Sequence, residues 1–282
     1  MLTPSRSLAL HFDDGRLLPE IPELRDLYKL GAKGDKSEGV SFRHGQVIMI
    51  AGRSGTQKSG LALWLTGKWA ERGVSSLYYS SDMSPFTASA RVASMFTGYP
   101  TNKVEEMMHG TDREQKEIMA SLEGLPVSFA FGQLSWPLVD QHLEAYVELW
   151  DSYPDLIWFD NLMDFDGAEA DYTVQMAVMS NATSLARETG STVILMHHAS
   201  DKSWDAKAAP YEPPSRNEIK GGLSEKPELS LSVALDPYTM EYKIACIKQR
   251  SGPSDPTAAR YATLVCEPEV TRFHARGDTQ WR

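Results

Sequence analysis

The run Gly52-Arg53-Ser54-Gly55-Thr56-Gln57-Lys58-Ser59 puts two glycines, a lysine and a terminal hydroxyl into eight residues. The β-branched, apolar stretch 47–51 precedes it, and helix-forming residues 61–65 follow. A glycine-rich turn between a buried strand and a helix can wrap its backbone N–H groups round a chain of phosphates, with the helix N-terminus adding partial positive charge. Lys58 then reaches the β and γ oxygens and Ser59 ligates Mg²⁺. All eight residues are therefore candidates for binding a nucleotide such as ATP. Gln57 stands where such loops usually carry glycine.

Three further strand ends carry chemistry. Residues 156–160, Leu-Ile-Trp-Phe-Asp, end an apolar strand in Asp160, where a carboxylate faces the ligand crevice and can hold Mg²⁺ as a Walker B residue. Asp82 follows the strand ending at Ser80 and is placed to orient or deprotonate an attacking water, or else to cap the next helix. His198 ends the strand at 192–196 and reads as a polar γ-phosphate sensor. Its neighbour His197 points to the opposite face, so the pair does not form a metal clip. The acidic run from Asp160 through Asp164, Asp166, Glu169 and Asp171 has no basic residue, and such a cluster can hold two divalent ions for phosphodiester cleavage. Residues 200–222 show no periodicity, as in a functional loop. Within them Lys202, Arg216 and Lys220 are candidate nucleic-acid phosphate contacts.

The elements that must position these groups form a consistent pattern. Five short apolar bursts, at 47–51, 77–80, 127–131, 156–160 and 192–196, alternate with stretches long enough for crossover helices. Runs without a polar face suit strands buried on both sides, giving an α/β domain with a largely parallel sheet. Bursts at 229–234, 242–247 and 261–265, separated by turn residues, read as antiparallel strands at one edge. Ahead of the core, Leu24, Leu27 and Tyr28 have helical spacing, with Gly31 as a stop. This short amphipathic helix can pack on its own domain or on a neighbouring copy.

Composition excludes several classes. The chain has 282 residues, 41% hydrophobic and 23% charged, with a formal charge of −10. Disorder and a polybasic nucleic-acid coat are both ruled out. Only Cys246 and Cys266 are present, too few for a disulfide scaffold, which points to a reducing cytoplasm. No apolar run approaches the roughly 20 residues of a membrane span.

Taken together, these motifs resemble the RecA-type ATPase core of the hexameric, DnaB-like replicative helicases. The resemblance covers residues 39–282 and is most specific at Lys248-Gln249-Arg250-Ser251-Gly252-Pro253. It implies a three-layer P-loop NTPase, mainly parallel with antiparallel strands at the C-terminal edge, preceded by an extension and linker helix over 1–38. It further implies that Arg250 is an arginine finger and Lys248 its partner, both reaching a neighbour's γ-phosphate, with Lys58, Asp82 and His198 acting in cis. Asp82 stands where the family usually has glutamate. The expected activity is an ATP-dependent motor on single-stranded or branched DNA, assembled as a hexameric ring or open helix in the cytoplasm of a bacterial or phage-infected cell. In such an assembly residues 21–31 would pack on the adjacent protomer. Two alternatives remain: a metal-dependent, structure-specific nuclease built on the acidic run, and a recombination or assembly ATPase that scarcely turns over, consistent with Gln57 and Asp82.

Overall fold

Alternate residues of the parallel strands enter two different cores. Along β4 (Leu156–Asp160), Leu156 and Trp158 join one cluster with Trp64 and Trp69, whereas Ile157 and Phe159 join another with Tyr79 and Phe165. The same split runs through β5 (Thr192–His198), with Ile194 and Met196 on one face and Val193 and Leu195 on the other. Two-sided burial of this kind requires helices over both faces. In this computed structural model, which describes residues 15–31, 39–200 and 211–277, they are supplied by α2 (Lys58–Ala70), α3 (Pro85–Thr97), α6 (Trp136–Trp150) and α7 (Tyr172–Thr189). The short helices α4 (Thr101–Met108) and α5 (Asp112–Leu122) close a small satellite core with α3.

The nine-stranded sheet has the order β3-β2-β4-β5-β1-β6-β7-β8-β9. Here β1 is Val47–Gly52, β2 Ser76–Ser80, β3 Val127–Phe131, β6 Leu229–Leu235, β7 Glu241–Gln249, β8 Tyr261–Glu267 and β9 Arg272–Ala275. Strands β3 through β6 in this order are parallel, and β7, β8 and β9 run antiparallel at the C-terminal edge. The fold class is the one expected, with one correction of detail. Strand β6, read as antiparallel, pairs in parallel with β1, Ile48 opposite Leu229 and Gly52 opposite Val233. Its direction depends on the route of the 211–228 segment back to the start of the sheet, which strand composition does not encode.

The N-terminal segment also differs from its expected partner. Residues 22–28 form a 3₁₀ turn, Pro22–Leu24, and the single-turn helix α1, Arg25–Tyr28. Ile21, Leu24 and Leu27 are buried in this chain's own core beside Trp69 and Phe42. The Tyr28 hydroxyl accepts the Ile21 N–H, Trp69 Nε1 donates to the Pro19 carbonyl at 3.0 Å, and Lys68 pairs with Glu23 at 2.9 Å. The segment is a strap held in cis rather than a helix lent to a neighbour. Leu24→Ala and Leu27→Ala should each cost about 2–5 kcal/mol of unfolding free energy in urea, independent of protein concentration. Little or no cost in the dilute protein would contradict packing in cis.

Candidate functional site

The sheet order makes β4, β5 and β1 neighbours, so their carboxyl ends deliver Asp160, His198 and the phosphate loop to one crevice. This is the topological switch point at which open parallel sheets bind ligands. A cavity of about 230 Å³ there is lined by residues 54–60 with Asp82, Arg91, Asp160, Asn161 and His198. It opens beside a larger cleft of about 990 Å³ whose walls include Asp82, Asp164, Glu169, His198 and Lys220. Lys58, Ser59, Asp82, Asp160 and His198, singled out on separate stretches of sequence, thus meet at one place.

The phosphate loop has the backbone needed for anion binding, with the first-turn N–H groups of α2, which no helix can pair internally, opening into the cavity. Gly55 and Gln57 both adopt left-handed conformations, with φ of 76° and 55°. Lys58 is buried, and its Nζ donates to the carbonyls of Gly52 at 3.1 Å and Arg53 at 2.9 Å, which keeps the amine over the loop. A Cβ on Gly52 would stand 2.9 Å from the Val233 carbonyl oxygen, so the first loop position must be glycine. Gln57 is accommodated because Gly60 is bare. A Cβ there would stand 3.0 Å from Gln57 Oε1, so the glutamine side chain lies along the first turn of the helix. Gly52 and Arg53 do not line the cavity. The Arg53 guanidinium turns away to the Glu212 carbonyl at 3.0 Å and Glu218 at 3.1 Å.

Asp160 is 7% exposed. Burial raises its carboxyl above the usual range, opposed by hydrogen bonds from Tyr78 and Ser59 and by the Lys58 charge. The Tyr78 hydroxyl donates to Asp160 Oδ2 at 2.7 Å and is itself raised by burial and by the carboxylate. The Ser59 hydroxyl and the Asp160 carboxylate, already in contact, are a hard-oxygen pair, and this donor set suits Mg²⁺ alongside phosphate oxygens. Asp82 sits at the rim, and Ser84 takes the cap of α3 by accepting the Thr87 N–H, so capping does not occupy Asp82. His198 lines both cavities. His197 is fully buried, its Nε2 lies 3.0 Å from the Lys220 carbonyl, and burial lowers its pKa to about 4.

Other candidate residues lie elsewhere. Lys248 and Arg250 stand where β7 finishes, at the opposite end of the strands. Gln249 pairs with Leu229 and Leu229 with Ile48, which is four residues, or about 13 Å, short of Gly52 along the strand. Lys248 Nζ donates to the carbonyls of Glu225 and Pro227, and burial with the nearby Arg250 charge lowers it to about 8. Arg250 is 57% exposed and pairs with Glu228 at 3.3 Å. Arg216 pairs with Glu225 at 2.8 Å, Lys220 is exposed on the large cleft, and Lys202 falls outside the described residues.

The acidic run, on which the alternative nuclease reading rests, is partly engaged in capping. Asp164 accepts the Asn161 N–H in a 3₁₀ capping box and Asp171 caps α7 through Thr173. Among the described residues no three His, Cys, Asp or Glu side chains group to hold a metal. Tyr78 and Arg91 are among the residues at the site that escaped the sequence reading. Tyr78 becomes visible only through the pairing of β2 with β4, and Arg91 only through the rotation of α3 over the cavity.

A glutamine in left-handed backbone is strained, so Gln57→Gly should stabilise the fold by roughly 0.5–1 kcal/mol and leave nucleotide affinity intact. Weakened binding would instead show that the glutamine touches the ligand. Asp160 is raised in the folded state, so its ionisation at neutral pH opposes folding. Asp160→Asn should therefore melt higher than the parent near pH 7.5, the gain vanishing as pH falls and the parent carboxyl protonates, while Mg²⁺-dependent nucleotide binding is lost. A lower melting temperature at pH 7.5 would contradict this.

Comparison with known proteins bears on the family and the fold. A family model described as an AAA domain matches residues 3–203. The Gene 65 protein of Mycobacterium phage L5 is 27% identical over 272 residues, covering 94% of this chain and 95% of that protein. The Gene 65 protein of Mycobacterium phage D29 is 28% identical over 229 residues, covering 77% and 94%. Among solved structures, one described as an ATPase domain superposes with a TM-score of 0.67 at 14% identity, over 83% of this chain and 85% of that one. A DnaB-like replicative helicase, described with its interactions with primase, gives 0.69 at 13% identity, over 82% of this chain and 57% of that one. The RecA-like fold is shared with both of these solved structures, and the chain belongs to the AAA-domain family.

Proposed function

We propose that the chain is an ATP-dependent motor that hydrolyses ATP at the interface between copies of itself and translocates on single-stranded DNA. The observation that carries this reading is the separation of grip from hook. Residues 54–60 form the phosphate cavity at one end of the sheet, and Arg250 is exposed at the other. A cation so placed is remote from its own phosphate cavity, which supports the reading that it serves the site of a neighbouring copy, where it would stabilise charge developing on the transferred phosphoryl group. Glu228 and the Lys226 carbonyl hold its guanidinium, and Lys248 pins the strand end to residues 225–227.

Within one copy, the loop N–H groups and Lys58 bind the phosphates. Ser59 and Asp160 would hold Mg²⁺, which when bound would neutralise phosphate charge. Asp82 orients the attacking water and accepts its proton. His198 lies between the phosphate cavity and the large cleft, and reads the γ-phosphate position. Lys220, exposed on that cleft, contacts the DNA backbone.

The titration of hydrolysis against protein concentration tests this. Specific activity should rise with concentration and with added single-stranded DNA. Arg250→Ala should lower kcat by about 10³-fold or more while ATP affinity is retained. Turnover unaffected by Arg250→Ala or by dilution would remove the interface mechanism. Tight binding without turnover in the parent protein would favour the assembly ATPase, the reading that Gln57 and the short Asp82 side chain support.

A further inference from the structure

The second residue of the phosphate loop does not face the phosphates. Arg53 sends its guanidinium across to the 211–225 segment, donating to the Glu212 carbonyl at 3.0 Å and to Glu218 Oε1 at 3.1 Å. The ion pair is largely shielded, with 18% and 14% of the two side chains exposed. The other Glu218 oxygen accepts both the N–H and the hydroxyl of Ser215, at 2.8 and 2.7 Å, and so defines the 3₁₀ turn Arg216–Glu218. That turn is also joined to the exit of β5. The Glu218 carbonyl accepts the Ser200 N–H, Ala199 bridges Ile219, and the Ala199 N–H donates to the Gly52 carbonyl.

Lys58 Nζ rests on the Gly52 and Arg53 carbonyls. The same two residues therefore contact the amine that must engage a phosphate and the segment that joins the exit of β5 beside His198. A carboxylate split between a phosphate-loop arginine and a turn N–H has little freedom, because moving either partner breaks a charge-assisted bond in a shielded setting.

We propose that the Arg53–Glu218 pair is a positioning link through which occupancy of the phosphate loop fixes the 211–225 segment. This rests on the nucleotide-binding reading above. Neither residue touches substrate; both act through the backbone they hold. Nucleotide that rigidifies the loop then rigidifies the turn, and by reciprocity whatever holds the turn strengthens the grip on nucleotide.

Hydrogen-exchange mass spectrometry on the full chain, with and without AMP-PNP and Mg²⁺, tests the link, with a fluorescent ATP analogue reporting binding separately. In the parent protein, nucleotide should slow exchange in peptides spanning 211–225 about fivefold or more. Glu218→Gln should lose that protection and, by the same reciprocity, weaken nucleotide binding by no more than about fivefold. Arg53→Met should lose it as well, and the double variant should lose no more than either single one, the signature of a coupled pair. A turn merely loosened by Glu218→Gln would exchange faster with and without nucleotide but keep the nucleotide-dependent slowing, and this outcome overturns the proposal. So does a parent that binds the analogue without protecting the segment. A parent that binds no nucleotide overturns both this link and the function on which it rests.

Discussion

The structure depends on one packing constraint, the burial of a parallel sheet on both faces with β1 inside it. Since β1 lies between β5 and β6 and β5 beside β4, three carboxyl strand ends are forced together. Helices cover both faces, so a ligand reaches those ends through the crevice above them. The aromatic layer of Trp64, Trp69, Tyr78 and Trp158 on one side and Tyr79, Phe159 and Phe165 on the other keeps the strands in register. Register in turn sets the contact between Tyr78 and Asp160. A hydroxyl and a carboxylate meet there because Ser80 pairs with Asp160 and Tyr78 with Trp158.

The same constraint separates the two ends of the molecule. Strand β7 runs antiparallel to β6, so its last residues return to the end of the sheet from which β1 starts. The exposed Arg250 therefore lies far from its own phosphate loop, and catalysis in which it takes part requires a second copy. In the proposed motor this separation would couple turnover to assembly. The buried Asp160 opposes folding at neutral pH to keep an anionic oxygen beside Ser59, a cost in stability of the sort that functional sites commonly carry.

Much of this was legible in the residues. Five of the six parallel strands, at 47–52, 76–80, 127–131, 156–160 and 192–198, coincide closely with the apolar bursts, because burial on both faces leaves no room for a polar alternation. The groups at their carboxyl ends could be named for the same reason. The direction of β6 was not legible, since parallel and antiparallel strands share composition and only the connection distinguishes them. The strap's partner was not legible either. An amphipathic face states that it must be covered, not by which copy, and the covering groups Trp69 and Phe42 lie in other stretches of sequence. Arg53 read as part of a phosphate cradle because its backbone belongs to one, while its side chain obeys Glu218, 165 residues away. The acidic run left a metal site and a solvated loop both open on composition, and only the fold shows Asp164 and Asp171 accepting capping N–H groups.

The claim that the pocket of one copy is completed by another is tested most directly by mixing two inactive variants. Lys58→Ala lacks the grip but presents Arg250, whereas Arg250→Ala keeps the grip and lacks the hook. In the mixture, interfaces between unlike copies combine one intact grip with one intact hook, so ATP hydrolysis should rise well above the sum of the separate variants. Activity no greater than that sum, with mixed assemblies shown to form, would contradict completion in trans.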